Sequence, residues 1–326
     1  MIPSFVNNLF QLRPQDFTVA AHDAFRFQYE ENKVYEAFCK ALKIELDLIP
    51  GTQQIPFLPI DFFKKKEVIS TTFIPEAVFE SSGTSQTIQS KHFIKSLDLY
   101  EDSFFNGFHQ QYGTPEDYCI LGLLPSYLER TNSSLVYMVK RLMDKSQHPN
   151  NGFYLHDLET LYNTLKLMET NGQPTLLFGV TYALLDFAEK YQMQCYTTTV
   201  IETGGMKGKR EELTREEVHQ LLKKSLGLKS VHSEYGMTEL LSQAYSKGDG
   251  LFYCPPWMKV LVRDEDDPLH ISTTGKGAIN IIDLANIYSC CFIATDDIGE
   301  VFADGSFKIL GRMDNSDIRG CSLLAL

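Results

Sequence analysis

Between residues 119 and 235, short apolar runs alternate with longer stretches of helical periodicity, and this alternation leaves the chain few architectures. Cys119–Leu124, Thr175–Phe178, Thr197–Ile201 and Ser230–Tyr235 read as strands, with Ser133–Met143, His156–Met168 and Thr181–Tyr191 as the helices between them. Parallel neighbours in one sheet need such crossovers. The pattern therefore predicts an α/β fold with parallel sheets flanked by helices. Thr214-Arg215-Glu216-Glu217 forms a capping box ahead of Val218, Leu221, Leu222 and Leu226, so a further helix begins there.

On either side the pattern changes. Residues 18–46 read as helical, with Val34, Phe38, Ala41 and Leu42 on one stripe, until Pro56 and Pro59 interrupt. Asp98 with Glu101 looks like a helix start and Gly113 a stop. After residue 250 come short, closely spaced runs: Met258–Val262, Ala278–Asp283, Ser289–Ala294, Glu300–Ala303 and Ser306–Leu310. Asp304-Gly305 between two of them is a hairpin signal. The expected organisation is an α/β part over about 1–250, a β-rich part over about 251–310, and a short tail over 311–326.

Thirty Lys and Arg stand against 42 Asp and Glu, a net charge of −12, which disfavours nucleic acid and anionic membranes as general partners. No apolar run is long enough to span a bilayer, so an integral membrane protein is not expected. Met1-Ile2-Pro3-Ser4 lacks the basic start of a secretory leader, and the seven Cys form no CxxC pair. Reduced thiols in a cytoplasm are the expectation.

Four segments can carry chemistry. Ser81-Ser82-Gly83-Thr84-Ser85 sets four hydroxyls around one glycine after an apolar run, a set of donors for phosphate oxygens, although a polar surface turn has the same composition. Ser233-Glu234-Tyr235-Gly236-Met237-Thr238-Glu239 closes a strand and offers a flat ring at Tyr235, a close approach at Gly236, a hydroxyl at Thr238 and a hard oxygen at Glu239 suited to Mg²⁺; a plain turn would also fit. Thr295-Asp296-Asp297-Ile298-Gly299 places two carboxylates at an expected strand end, able to accept from ribose hydroxyls or simply to form a turn. Arg312 in Gly311-Arg312-Met313-Asp314 can reach a phosphate or join a surface ion pair. HExxH, GxSxG, GxGxxG and the Walker loop are absent, and the eight His read as structural or solvated. Cys290 and Cys291 read as core residues, whereas Cys321 follows Arg319-Gly320, whose cation favours thiolate, although an incidental tail cysteine has the same chemistry.

The order of these pieces is more specific than any one of them. FESSGTS, TGG, SEYGMTE, TDDIG and GRMD resemble in sequence the motifs of the adenylate-forming superfamily, and within it the chain most resembles acyl-protein synthetases, the fatty-acid ligases of bacterial luminescence and their relatives. SKHF, LPSYLERTNSSLVYMV, SEYGMTELLSQAY and IRGC carry the narrower likeness, which spans about residues 75–321. The resemblance implies the superfamily's large-domain fold over 1–310, a hinge and tail over 311–326, and no small C-terminal lid domain with its lysine. It implies ATP and Mg²⁺ as cofactors. Ser81, Ser82, Gly83 and Thr84 would grip the ATP phosphates, and Gly204 and Gly205 would lie against the adenine or acyl-adenylate. Tyr235 would stack on the adenine with Gly236 allowing close approach to the nucleotide, Thr238 would contact the α-phosphate region, and Glu239 would hold Mg²⁺. Asp297 would bind the ribose, Arg312 would support the nucleotide, and Cys321 would accept the acyl group.

Two departures stand out: the phosphate loop lacks the usual second glycine and lysine, with Lys91 as a substitute further along, and Asp296 replaces the middle glycine of TGD. The implied activity is ATP-dependent conversion of a carboxylic acid to acyl-AMP; the resemblance implies a long-chain fatty acid, while the residues leave an aryl or short acid open. Transfer to Cys321 would follow, and then transfer to an acyl-accepting protein such as a reductase or carrier. The 16 residues after Leu310 reach at most about 50 Å when extended at ~3.3 Å per residue, which makes delivery to a second protein feasible. Two other readings share the motifs: release of acyl-AMP to coenzyme A or a carrier protein, and a degenerate nucleotide-binding regulatory module. The acyl pocket is expected near Tyr127, Ser134, Phe178 and Tyr182.

Overall fold

A computed structural model describes residues 1–44, 51–82, 88–125, 130–204 and 213–313. The N-terminal helical stretch is two helices, α1 (Phe17–Glu31) and α2 (Lys33–Ala41). Asn32 separates them because its side-chain oxygen accepts from the backbone N–H groups of Val34 and Tyr35, an N-cap that starts α2 afresh. The most deeply buried residues of α2 are Tyr35 and Cys39, beside the expected Val34 and Phe38 stripe. The proline-containing stretch gives β1 (Leu58–Pro59), followed by α3 (Phe62–Lys65). A two-stranded sheet, β2 (Ala77–Glu80) against β3 (Lys91–Ile94), brackets the hydroxyl-rich segment. Next comes α4 (Leu97–Tyr112), capped by Ser96, with Gly113 at φ 82° ending it.

The alternating region forms the expected sheet. It comprises β4 (Cys119–Leu123), β5 (Gly152–Phe153), β6 (Thr175–Val180), β7 (Thr198–Thr203), β8 (His232–Tyr235) and β9 (Ala244–Ser246), in the order β5-β4-β6-β7-β8-β9. All neighbours are parallel except β8 and β9. Four crossover helices supply the connections: α5 (Ser134–Ser146), α6 (Leu158–Asn171), α7 (Thr181–Lys190) and α8 (Arg215–Leu226). Every residue of β4 and β6 is buried, as a sheet covered on both faces requires. The capping box of α8 is complete: Thr214 accepts from the Glu217 N–H while the Glu217 carboxylate accepts from the Thr214 N–H.

The remaining strands build a second, mainly antiparallel sheet: β10 (Met258–Arg263), β11 (Ile271–Ser272), β12 (Gly275–Asp283), β13 (Phe292–Val301) and β14 (Phe307–Arg312). Here one expectation is corrected. Thr295–Gly299 is no strand end or turn, because β13 runs unbroken through it. One edge of β13 pairs with β12 at Phe292–Ala294 and again at Ile298–Val301, with a register shift between; the other is shared by β1, opposite Ile293 and Ala294, and β14, opposite Asp297 to Val301. The two acidic residues lie at that shift, where Asp297 keeps its β14 partner Arg312 and the strand stays extended. No helix among the described residues is long and apolar enough to cross a membrane.

Candidate active site

In an open parallel sheet, the loops at the carboxyl ends of the strands form the natural crevice. β7 and β8 end there side by side, with Thr203 opposite Glu234. The next residues are Gly204 and Gly236, both exposed. Gly204 adopts φ 74°, a left-handed conformation that costs glycine little, and its carbonyl accepts from the Thr181 hydroxyl at 2.7 Å.

Tyr235, at the last position of β8, points toward the second sheet. Its ring packs edge-on to Phe307 at 5.4 Å and near Phe252 at 5.9 Å, so it is buried rather than presented as an open face. Its hydroxyl donates to Asp297 Oδ2 at 2.7 Å. The other oxygen, Oδ1, accepts from Arg312 Nε at 3.1 Å. Asp297 and Arg312 are register partners on β13 and β14, which explains their approach. The period-two alternation of β13 turns Thr295 and Asp297 inward and Asp296 outward. Beneath them Arg263 is buried, donating to the carbonyls of Ile279 and Thr295 and to Asn280 Oδ1, while Met313 N–H donates to Asp296 O at 2.7 Å. These bonds set the position of the acidic pair.

Thr238 and Glu239 lie in the turn after β8, Thr238 half-buried and Glu239 buried. Burial raises the Glu239 carboxyl above its ordinary value; a hydrogen bond from Ser90 and the charges of Arg312 and Lys64 offset part of this. Glu239 thus lies within the field of the arginine that binds Asp297. Ser90 also ties in the hydroxyl-rich segment: its N–H donates to Ser81 Oγ at 3.0 Å and its carbonyl accepts from Ser81 N–H at 3.1 Å. Among the described residues, no hydrogen bond donated by the Ser81 hydroxyl is seen. Ser82 is exposed beside it. Lys91 is exposed, with its ammonium 3.7 Å from Glu80.

Ser81, Glu239, Arg312, Asp297 and Tyr235 are therefore linked in one locality. Gly83, Thr84, Gly205, Tyr127 and Cys321 lie outside the described residues. Of the expected acyl-pocket residues, Phe178 is fully buried in β6, and Ser134 and Tyr182 lie in the first turns of α5 and α7. Among the described residues, no group of three or more His, Cys, Asp or Glu can hold a metal by itself.

Sequence reasoning missed a buried acidic pair at the same strand ends. Glu202 accepts from the Thr181 hydroxyl and Glu234 from the Thr203 hydroxyl. Burial, reinforced by Glu202, raises the Glu234 carboxyl to about 7. The folded state then holds a proton that the unfolded chain has already released, so stability falls as pH rises from the ordinary carboxyl range toward 7. Relative to Glu234→Gln, the wild type is expected to lose stability, on the order of a few kcal/mol, between about pH 5 and 8. Urea unfolding of both proteins across that range checks this, and a constant difference contradicts it. A hydrophobicity pattern cannot reveal such a pair, because Glu in a strand scores as exposed.

Comparison with known proteins identifies the family and the fold. The family model described as "Acyl-protein synthetase, LuxE" matches residues 14–325. The long-chain-fatty-acid–luciferin-component ligase of Vibrio harveyi is 22% identical over 328 residues, covering 92% of this chain and 84% of that protein. Among solved structures, ATP-bound MatB from Rhodopseudomonas palustris is similar with a TM-score of 0.54 and 19% identity, over 72% of this chain and 48% of that one. The O-succinylbenzoate coenzyme A synthetase (MenE) of Bacillus subtilis, in complex with ATP and magnesium ion, gives 0.50 and 14% over 72% and 49%. The chain thus spans about half the length of these two structures, whose likeness establishes the shared fold. The chain belongs to the LuxE family of acyl-protein synthetases, acid–AMP-forming ligases, on an adenylate-forming fold.

Proposed function

We propose that the protein activates a long-chain fatty acid with ATP and carries the acyl group onward as a thioester on Cys321. The observation that supports it most is the meeting of Tyr235, Asp297 and Arg312 beside the buried Glu239, at the carboxyl edge of the parallel sheet. The fatty acid follows from the name of the Vibrio harveyi relative.

A carboxylate resists nucleophiles because it is anionic and its oxide leaves poorly. In the first step its oxygen bonds to the α-phosphorus of ATP while the bond to pyrophosphate breaks. The hydroxyls of half-buried Ser81 and Thr238 and of exposed Ser82 would donate to phosphate oxygens, while Asp297 and Arg312 hold the nucleoside end. In the second step the Cys321 sulfur bonds to the acyl carbon, the carbon–oxygen bond to AMP breaks, and the thiol proton passes to solvent. The residues present fit a magnesium ion: Glu239 is a buried, hard oxygen donor whose charge nearby cations only partly balance, and Mg²⁺ characteristically takes one or two carboxylates plus phosphates and water. Bound there by Glu239 and Thr238, it would supply neutralising charge to the phosphates. An acyl-accepting protein, a reductase or a carrier, would then take the group, and a cytoplasmic setting suits a reactive thiol.

Incubation with ATP, Mg²⁺ and labelled fatty acid tests the proposal. Wild-type protein is expected to keep label after denaturation and release it to hydroxylamine. Cys321→Ser is expected to lose the label yet retain fatty-acid-dependent exchange of pyrophosphate into ATP. Unchanged labelling of the variant rejects the thioester, and acyl transfer by that variant to coenzyme A supports free acyl-AMP as the donor. Absence of exchange in the wild type would leave only a nucleotide-binding module.

A further inference from the structure

The Thr238–Glu239 turn lies between β8 and β9, closed by a bond from Leu240 N–H to Met237 O at 3.1 Å, and groups from elsewhere hold its other backbone groups. Its two successive carbonyls are each held by a buried side chain. His92 Nδ1, from β3, lies 2.8 Å from Thr238 O, and Asn286 Nδ2 donates to Glu239 O at 2.7 Å. A carbonyl can only accept, so His92 must carry its proton on Nδ1. Two residues further on, the Asp283 carboxylate accepts from Leu241 N–H at 2.9 Å and from Ser242 N–H at 3.0 Å. The turn is therefore pinned at four backbone groups.

His92 is 1% exposed and packs edge-on to Phe63 at 5.9 Å. An apolar side chain would fill that space without the cost of burying a polar ring. What the imidazole adds is a donor aimed at the Thr238 carbonyl, together with a bond to the Asn286 side chain. Two residues earlier on the same segment, Ser90 bonds both the Glu239 carboxylate and Ser81. The segment Ser90–His92 thus touches the expected phosphate loop and the expected metal turn together.

We propose that His92 is a positioning residue for the nucleotide site: its bond to the Thr238 carbonyl sets the aim of the Thr238 hydroxyl and the Glu239 carboxylate. This rests on the reading of that turn as the Mg²⁺–ATP contact. Asparagine places its amide nitrogen where Nδ1 stands, glutamine places it where Nε2 stands, and leucine offers none. Binding of a non-hydrolysable ATP analogue, measured calorimetrically with and without Mg²⁺, separates them. His92→Leu and His92→Gln are expected to weaken Mg²⁺-dependent binding about tenfold, the worth of one buried hydrogen bond, while His92→Asn stays within about threefold of wild type. The KM for the fatty acid is expected to stay unchanged in all three. If His92→Leu does not fold, the contrast between Asn and Gln carries the test. Equal binding by the Asn and Gln variants overturns the proposal. Glu239→Gln serves as the control. If it abolishes the Mg²⁺ dependence while the His92 variants bind normally, only the positioning role fails. If it changes nothing, the reading of the turn fails, and this inference with it.

Discussion

Asp297→Ala is expected to lower fatty-acid-dependent pyrophosphate exchange by about a hundredfold or more, chiefly through weaker ATP binding. Both oxygens of this 6%-exposed carboxylate are engaged, one by Tyr235 and one by Arg312. Alanine leaves the Tyr235 hydroxyl buried without its acceptor and frees the Arg312 side chain. It also takes away the acceptor proposed for the ribose hydroxyls. A hydrogen bond to a charged group contributes about 1.5–3 kcal/mol, and the buried donor left behind adds its own desolvation cost. The Arg312 link is the weaker one, because that side chain is 78% exposed and water screens it. Arg312→Ala is therefore expected to cost about tenfold or less. Asp297→Asn, which keeps an acceptor for Tyr235, should fall between the two. Exchange rates and calorimetric ATP affinities measure this. An alanine variant within threefold of wild type would remove Asp297 from the nucleotide site.

Gln28→Ala is expected to destabilise the fold by about 3–5 kcal/mol without touching substrate. Gln28 lies on α1 and is fully buried. Its amide nitrogen donates to the carbonyls of Asn286, Ile287 and Ser289 at 3.2, 2.9 and 3.3 Å, and its oxygen accepts from Cys291 N–H at 2.9 Å. Asn32 and Ser70 reinforce the same connection by donating to Ser289 O. Truncation leaves several buried polar groups unpaired and a cavity where the side chain stood. The segment released by this change includes Asn286, which holds the Glu239 carbonyl, so ATP affinity is expected to fall along with stability. Urea unfolding at 25 °C reads the first effect. A loss below about 1 kcal/mol would mean that the α1 contact is an ordinary surface interaction.

Much of the α/β part was legible because local pattern encodes it. Apolar runs of strand length, helical stripes and the Thr214 capping box each report the burial of their own segment, and the parallel sheet follows from their alternation. The β-rich character after residue 250 was legible for the same reason. The path of β13 was not. Its inward face carries Thr295, Asp297 and Gly299, so hydrophobicity stops alternating where burial continues, and the segment reads as a turn. α1 was legible as a helix but not as a partner of residues 286–291, which lie more than 250 positions away. His92 and Glu234 were hidden for a related reason: a single polar residue in a short strand says nothing about which distant carbonyl or carboxylate it will meet.

By itself the sequence determined the types of its elements, their order, and the order of the motifs that identify the family. All of these depend on residues within a few positions of each other. Only the tertiary structure decided that Tyr235 gives its hydroxyl to Asp297, that Arg312 lies across from that same carboxylate, and that His92 and Asn286 hold the turn bearing Glu239. Those pairings join separate sheets and loops, and strand register and packing fix them once the chain has closed on itself. The physical reason is that side-chain period is local, whereas the partner of a buried polar group is chosen by the whole fold.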